Sequence, residues 1–447
     1  MSKTKIERLT ATEALIELAS GRLTSEALVA ACLARIGDRD EAVGAWTHLD
    51  SDRALNAARA IDARRARGEP LPSLAGIPIG IKDIIDTEDF PTEYGSPVFA
   101  GRQPSADAFI VAQLRAAGAI ILGKTVTTEL AFFGPGKTRN PHDLERTPGG
   151  SSSGSAAAVA DDQVPLALGT QTAGSVIRPA SYCGAIGFKP TFGYVSRAGV
   201  LEQSAPLDTI GGYARSIEDI ALLFDAIGGY DAADRDMTPD AKPSLVAALR
   251  EPAPRVPRFA FVRSLAWPLA DAAMKSAFES FAGSFGAHAE VVETELPSDF
   301  EGGLRLPQIV QFSDIAKNYG PIADANPDRV SAKLTETIAE GRSFSAADYA
   351  AARADQEQLY EALKPILANH DAILTPAATG PALVGLGGTG SPMFNALWTY
   401  LGMPCISLPL LDVEGLPVGV QLVGARGSDT SLLRVANWLM QELPRTT

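Results

Sequence analysis

The chain has 447 residues, 46% of them hydrophobic and 21% charged, with a net charge of −14 and no run rich in Lys or Arg. That is the composition of a soluble globular protein with a sizeable core, and it argues against nucleic acid or anionic membrane as a partner, because both need a local excess of positive charge. Cys32, Cys183 and Cys405 are too widely spaced for a disulfide framework or a C-x-x-C metal site, and the charges scattered through the first twenty residues do not make a secretory signal, so a reducing, cytoplasmic setting is expected.

Two amphipathic helices are predicted at the start, over 11–19 and 25–36, the second with Thr24 or Ser25 as cap. From Leu74 onward short apolar runs alternate with helical patterns: LAGIPIGIKDIID and GAIILGKT read as buried strands, with DAFIVAQLRAAG as a helix between them. This order predicts α/β architecture around a largely buried sheet. Next comes PGGSSSGSAAAVA, residues 148–160, a glycine-rich turn feeding an alanine helix and carrying four serines. Within it, Gly150 to Gly154 matches G-x-S-x-G, which would make Ser152 the nucleophile of a strand-to-helix elbow. A strand at VPLALG leads into a second serine-bearing turn, GTQTAGSVIRPASYCG, residues 169–184, whose main-chain amides can converge on a developing oxyanion.

SIEDIALLFDAIGGY reads as a capped helix. The Pro- and charge-rich stretch 231–257 reads as a surface crossing between two lobes, and 300–363 as a more helical, more charged region. Short strands return at DAILTP, PCISLPLL and LPVGVQLVG. Residues 372–411 carry no charge, but five prolines argue against a membrane-spanning helix.

Three motifs fail on their surroundings. GAIILGKT fits G-x-x-x-x-G-K-T, yet its middle is a strand where a phosphate cradle needs a turn. GLGGTG, residues 385–390, is followed by Ser391-Pro392 where a dinucleotide site requires a helix. Of four histidines only His288 and His370 lie downstream of Ser152, both at ordinary helix–strand boundaries, so a Ser-His triad finds little support. No clustered ligand spacing suggests a metal, and no cofactor is expected. Lys82, inside IPIGIKDII, has two readings: an edge-strand gatekeeper, or a buried lysine held neutral by desolvation and therefore a base near neutral pH.

The runs GIPIGIKD, AGAIILGKT, PGGSSSGSAAAVA, GTQTAGSVIRPASYCG, GFKPTFGYVSRAGV and GLPVGVQLVG, in this order and spacing, resemble the amidase signature family over most of the chain, most closely between Ala75 and about Ile220. The resemblance implies a central mixed β-sheet covered by helices on both faces. It forms a single domain, with a helical N-terminal segment (1–68), a signature core (69–228), a variable and partly helical lobe (229–371) and a return to the core (372–447). It also implies Ser-Ser-Lys machinery: Ser175 as nucleophile, Ser151 as relay after a cis Gly150-Ser151 peptide, and Lys82 as base, with separations of 69 and 24 residues. The oxyanion donors would be the main-chain N–H groups of Thr172, Ala173, Gly174 and Ser175, and Ser152 would support the turn. Gln171 stands where the family usually has aspartate, Ala173 and Ser153 stand where it has glycine, and Arg178 falls one residue later than usual. The expectation is that Gln171 hydrogen-bonds Arg178 in place of an Asp/Arg brace.

The function so implied is hydrolysis of the C–N bond of a small-molecule amide through an acyl-enzyme, with carbamates and esters open to the same chemistry, by a monomer or homodimer. Phe132, Phe133, Gly134, Phe394 and Trp398 are expected to line the substrate pocket, with Tyr400 nearby. An uncharged lining would favour aryl amides and other neutral, apolar substrates. Two alternatives stand beside this: the glutaminase-type component of a tRNA-dependent amidotransferase complex, and a nucleotide-binding protein without hydrolytic activity.

Overall fold

The computed structural model describes residues 5–240, 242–251, 256–286 and 288–442. Among these, eleven strands join in one sheet: β1 (Trp46–Leu49), β2 (Pro78–Lys82), β3 (Ile120–Thr125), β4 (Leu166–Gln171), β5 (Ile186–Lys189), β6 (Thr209–Ala214), β7 (Arg258–Phe261), β8 (Glu290–Glu293), β9 (Ala372–Pro376), β10 (Cys405–Val413) and β11 (Leu416–Val423). Their order is β1-β3-β2-β4-β6-β5-β10-β11-β9-β7-β8. Parallel pairing runs through β3-β2-β4 and through β9-β7-β8, and antiparallel pairs join the rest, so the sheet is mixed. Every residue of β2, β3, β4, β5, β6 and β9 is buried, which requires cover on both faces and explains why these strands read as unbroken apolar runs rather than alternating ones.

Side chains close the start of several predicted helices. Thr10 and Glu13 make a reciprocal capping box on Ala11–Ala19, and Ser216 caps Ile217–Ile227. The second N-terminal helix is longer than its apolar periodicity suggested: capped by Thr24, it runs from Ser25 to Val43 and stops at Gly44 in the left-handed region. Of the crossing at 231–257, Ala241 and residues 252–255 lie outside the described residues; the remainder carries a short helix, Leu245–Leu249. Within 229–371, two strands, β7 and β8, extend the sheet beyond β9, while the helix Leu306–Ala325 packs into the core through Phe312, Ile315 and Tyr319. No described helix is long and apolar enough to cross a membrane, and no described cluster of His, Cys, Asp or Glu could hold a metal ion.

Candidate active site

Lys82 ends β2, an inner strand flanked by β3 and β4, so the edge-strand reading of this lysine does not hold. It is fully buried. Its Nζ lies 2.7 Å from Ser151 Oγ and 2.8 Å from Thr170 Oγ1, and no carboxylate pairs with it among the described residues. Burial pushes the amine well below the ordinary lysine range, with the negative charge of Asp208 the opposing influence. A neutral amine in that position can donate to Thr170 and use its lone pair to accept a proton from Ser151.

Ser151 follows a cis peptide bond from Gly150 and is buried. The helix behind it, Ser153–Ala160, is built from small residues that let it lie against the sheet; a Cβ on Gly154 would come within 2.2 Å of Ala45 O. Ser152 is also buried, and its hydroxyl is engaged at both ends by the Thr170 main chain: it donates to Thr170 O and accepts from Thr170 N, each at 3.2 Å. The serine that matches G-x-S-x-G therefore clamps the turn to β4.

Ser175 is the partly exposed serine of the group. It stands between β4 and the helix Ile177–Cys183, in a turn whose main-chain N–H groups at Ala173, Gly174 and Ser175 have no acceptor among the described residues. Four hydrogen bonds hold the turn. Gln171 Oε1 accepts from Val176 N (2.8 Å) and Ile177 N (3.0 Å), Gln171 Nε2 donates to Thr399 Oγ1 (2.9 Å), and Thr399 Oγ1 donates to Ala173 O (2.8 Å). Tyr213 adds a hydroxyl bond to Ser175 O at 3.1 Å. Gly174 is required by space, since a Cβ there would meet Asn395 Oδ1 at 2.5 Å.

The expected Gln171–Arg178 bond does not form. Gln171 uses its carbonyl on the two N–H groups that follow the Ser175 turn, a task a neutral amide performs as well as a carboxylate. Arg178 is instead fixed by Nη2, which donates to Gly150 O (2.6 Å) and Thr389 Oγ1 (3.1 Å). Its Nε and Nη1 have no hydrogen-bond partner among the described residues. Burial lowers its pKa to about 10, leaving it charged at neutral pH.

A small cavity of about 10 Å³ opens on Ser175, walled by Ala131, Phe132, Phe133, Ala173, Gly174, Arg178, Gln311 and Pro392. Phe132 and Phe133 are part of this wall, with ring centroids 4.5 Å apart. Phe394 and Trp398 are not. They belong to the helix Met393–Tyr400, and with Tyr400 they are wholly buried, because in an eight-residue helix lodged against the sheet the large apolar faces turn inward. Gly134 is beside the wall rather than in it, its carbonyl accepting from Glu129 N at 2.9 Å. A larger cavity of about 420 Å³ is lined by Thr170, Thr172, Arg197, Glu202, Gln203, Asp208, Asp234 and Asp236 among others; the two cavities share Ala131. Asp208, raised to about 6 by burial, accepts from Thr172 Oγ1 at 2.5 Å and from Gln203 and Ser204 N–H groups.

Sequence reasoning missed Thr170, Thr389, Thr399 and Gln311. Thr170 had a usable signal, a hydroxyl at the C-terminal end of an apolar strand directly before a serine-bearing turn. The others lie 211 (Thr389 from Arg178) and 226 (Thr399 from Ala173) residues from the groups they touch, or in the segment where the resemblance was weakest.

The family model described as Amidase matches residues 27–433. The A-type component of the glutamyl-tRNA(Gln) amidotransferase of Salinispora arenicola is 34% identical, over 97% of this chain and 97% of its own length. A solved structure from work on a vestigial protein complex and the evolutionary origins of an s-triazine catabolic enzyme superposes with a TM-score of 0.90 at 30% identity, covering 98% of this chain and all of its own. Native peptide amidase from Stenotrophomonas maltophilia superposes with a TM-score of 0.84 at 29% identity, covering 98% of each chain.

Proposed function

The chain belongs to the amidase family, and from that premise we propose that it is a serine amidohydrolase in which Ser175 attacks an amide carbonyl while Ser151 passes the released proton to Lys82. The observation that carries this reading is Lys82 itself: a fully buried lysine on an inner strand, without an ion-pair partner among the described residues, placed within hydrogen-bond reach of Ser151. A serine hydroxyl is too weakly acidic to attack unaided, and a desolvated neutral amine is the base that can activate it. The oxyanion forms against the open N–H groups of the turn, with Thr172, Ala173, Gly174 and Ser175 as donors. When the intermediate collapses, the proton returns through Ser151 to the departing nitrogen, and water then releases the acyl group by the same relay. A carbamate or ester presents the same carbonyl to the same groups.

The substrate is a small amide whose acyl part contacts Phe132 and Phe133. The ground for expecting neutral substrates is weaker than the sequence implied, since Phe394 and Trp398 are core residues and a charged arginine stands in the wall. The named relatives favour a second reading, in which the chain hydrolyses glutamine as the A-type component of an amidotransferase and therefore acts with a protein partner. A panel of short aliphatic amides, an anilide, an N-aryl carbamate, an ester and glutamine, assayed with wild type and Ser175→Ala, tests both. Ser175-dependent turnover of short amides by the isolated chain supports the first reading. A clear preference for glutamine, appearing only with a co-purified partner, supports the second. Turnover that survives Ser175→Ala defeats the mechanism.

A further inference from the structure

Three polar side chains, Ser175, Arg178 and Gln311, stand in the wall of the small cavity, and the other described residues of that wall are apolar. Arg178 can only donate, and Ser175 is committed to the reaction. The main-chain carbonyls of the wall are already engaged. Ala131 O accepts from Gln203 Nε2 (3.1 Å), Phe132 O from Thr128 Oγ1, Ala173 O from Thr399 Oγ1 (2.8 Å) and Gly174 O from Arg178 N (3.0 Å). Gln311 is therefore the side-chain acceptor of the cavity, and Gln203 decides which end of its amide is free. Gln203 Nε2 donates to Leu130 O (3.3 Å) and Ala131 O (3.1 Å). A carbonyl cannot donate, so these contacts fix the Gln203 amide in one orientation and leave its Oε1 to Gln311. Gln311 brings Nε2 to that oxygen at 2.7 Å, and its own Oε1 accepts no hydrogen bond from the described residues. The two carbonyls are themselves set by the backbone, for Leu130 and Ala131 have φ of 46° and 58°, a left-handed conformation that non-glycine residues rarely take and that surrounding contacts must hold. Both glutamines are buried, so bulk water does not compete for the pair.

We infer that Gln311 is a specificity-determining residue whose Oε1 accepts the N–H of the scissile amide, and that Gln203 is the positioning residue that keeps it turned that way. The cavity has room for about one water, so a substrate atom entering it meets Ser175 and Gln311 together. An ester carries oxygen where the amide carries N–H, and its binding leaves the buried Oε1 without a donor. A site built around such a bond rejects the analogue that lacks it. Holding the N–H also limits where the nitrogen lone pair can point as the carbonyl is attacked, and that lone pair is what takes the proton from Ser151. The inference rests on the amidohydrolase reading and names the residue that makes the site prefer amides to esters.

The test uses 4-nitroacetanilide and 4-nitrophenyl acetate, which differ only in N–H against oxygen at the scissile bond, and N-methyl-4-nitroacetanilide, which keeps the nitrogen and loses its hydrogen. The constant kcat/KM is measured on all three with wild type, Gln311→Met, Gln203→Met and, as the blank, Ser175→Ala. Gln311→Met is expected to lower the anilide-to-ester ratio by about tenfold or more, and Gln203→Met, which frees the Gln311 amide to rotate, by a smaller factor. General damage to the fold slows both substrates and cancels in the ratio. Wild type is expected to favour the N–H anilide over its N-methyl analogue by about tenfold or more, a comparison that needs no variant to fold, and Gln311→Met to close most of that gap. No preference for the N–H anilide in wild type, or an anilide-to-ester ratio unmoved in Gln311→Met, overturns the role of Gln311; a ratio unmoved in Gln203→Met overturns that of Gln203. Anilide turnover undiminished in Ser175→Ala overturns the amidohydrolase reading instead.

Discussion

Lys82 and Lys124 lie on neighbouring parallel strands, both fully buried, and they differ in what meets the amine. The β2–β3 register pairs Lys82 with Thr125 and Ile81 with Lys124, so the two side chains leave the sheet on opposite faces. Lys124 donates to Ile85 O (2.5 Å) and Thr92 Oγ1 (2.6 Å), with Asp83 at 3.8 Å; burial lowers it only to about 8, because the Asp83 charge opposes the shift. It remains protonated at neutral pH and ties β3 to the loop that follows β2. Lys82 meets two hydroxyls and the more distant charge of Asp208, and its amine falls much further. Burial is common to both. The polar groups at the tip decide whether a lysine braces the fold or serves as a base.

The largest effect that would break this contrast lies at the reaction. Ser175→Ala and Lys82→Ala should each lower kcat by roughly 10⁴–10⁶-fold, and the double variant should fall little further, since the groups act as a unit. Ser152→Ala should cost about tenfold at most, because its hydroxyl is engaged by the Thr170 main chain and the Tyr213 side chain rather than by Ser175 or Lys82. Near-normal turnover by Lys82→Ala would place the base elsewhere.

Lys124→Met should do the reverse. It leaves Ile85 O and Thr92 Oγ1 without this donor and the Asp83 carboxylate without its neighbouring positive charge, so urea denaturation should show a loss of about 2–3 kcal/mol while kcat of the folded enzyme stays within about threefold. A large loss of kcat with unchanged stability would erase the distinction between the two lysines.

The pH dependence of stability sharpens the same point. Lys124 has a folded pKa lowered to about 8 from 10.5, so between these values the unfolded chain binds the extra proton and stability rises with pH. The stability of wild type relative to Lys124→Met should therefore increase by about 2 kcal/mol between pH 8 and pH 10. The gain is lost again as the pH falls back to 8.

The smallest effect concerns Asp208. Its charge raises the Lys82 pKa, so Asp208→Asn should lower that pKa further and move the acidic limb of the kcat/KM–pH profile to lower pH. A limb that stays in place, measured on one amide substrate across the range, would mean that the titrating group is not Lys82.

Much of this site could be read from the chain because its parts sit at the ends of strongly patterned elements. Lys82 closes an apolar strand, Ser151 stands just before the short helix Ser153–Ala160, and Ser175 lies in the turn between β4 and the helix Ile177–Cys183. What escaped was set by packing at long range. Nothing local distinguishes Phe132, which follows a single 3-10 turn and lines the cavity, from Phe394, which the helix Met393–Tyr400 buries in the core. Gln171 was assigned to Arg178 from the family's Asp/Arg brace, but its carbonyl accepts from two main-chain N–H groups instead. Thr399 and Gln311 arrive from elements far along the chain, and no period or motif announces them.

The most direct test of the central claim is covalent trapping. The enzyme would be treated with a fluorophosphonate, which forms a stable ester with an activated serine, and the adduct located by peptide mass mapping. One adduct per chain is predicted, on Ser175, formed at a rate that rises with pH as Lys82 loses its proton and abolished by Lys82→Ala. An adduct on Ser151 or Ser152, or labelling undiminished in Ser175→Ala, would contradict the assignment of Ser175 as the nucleophile.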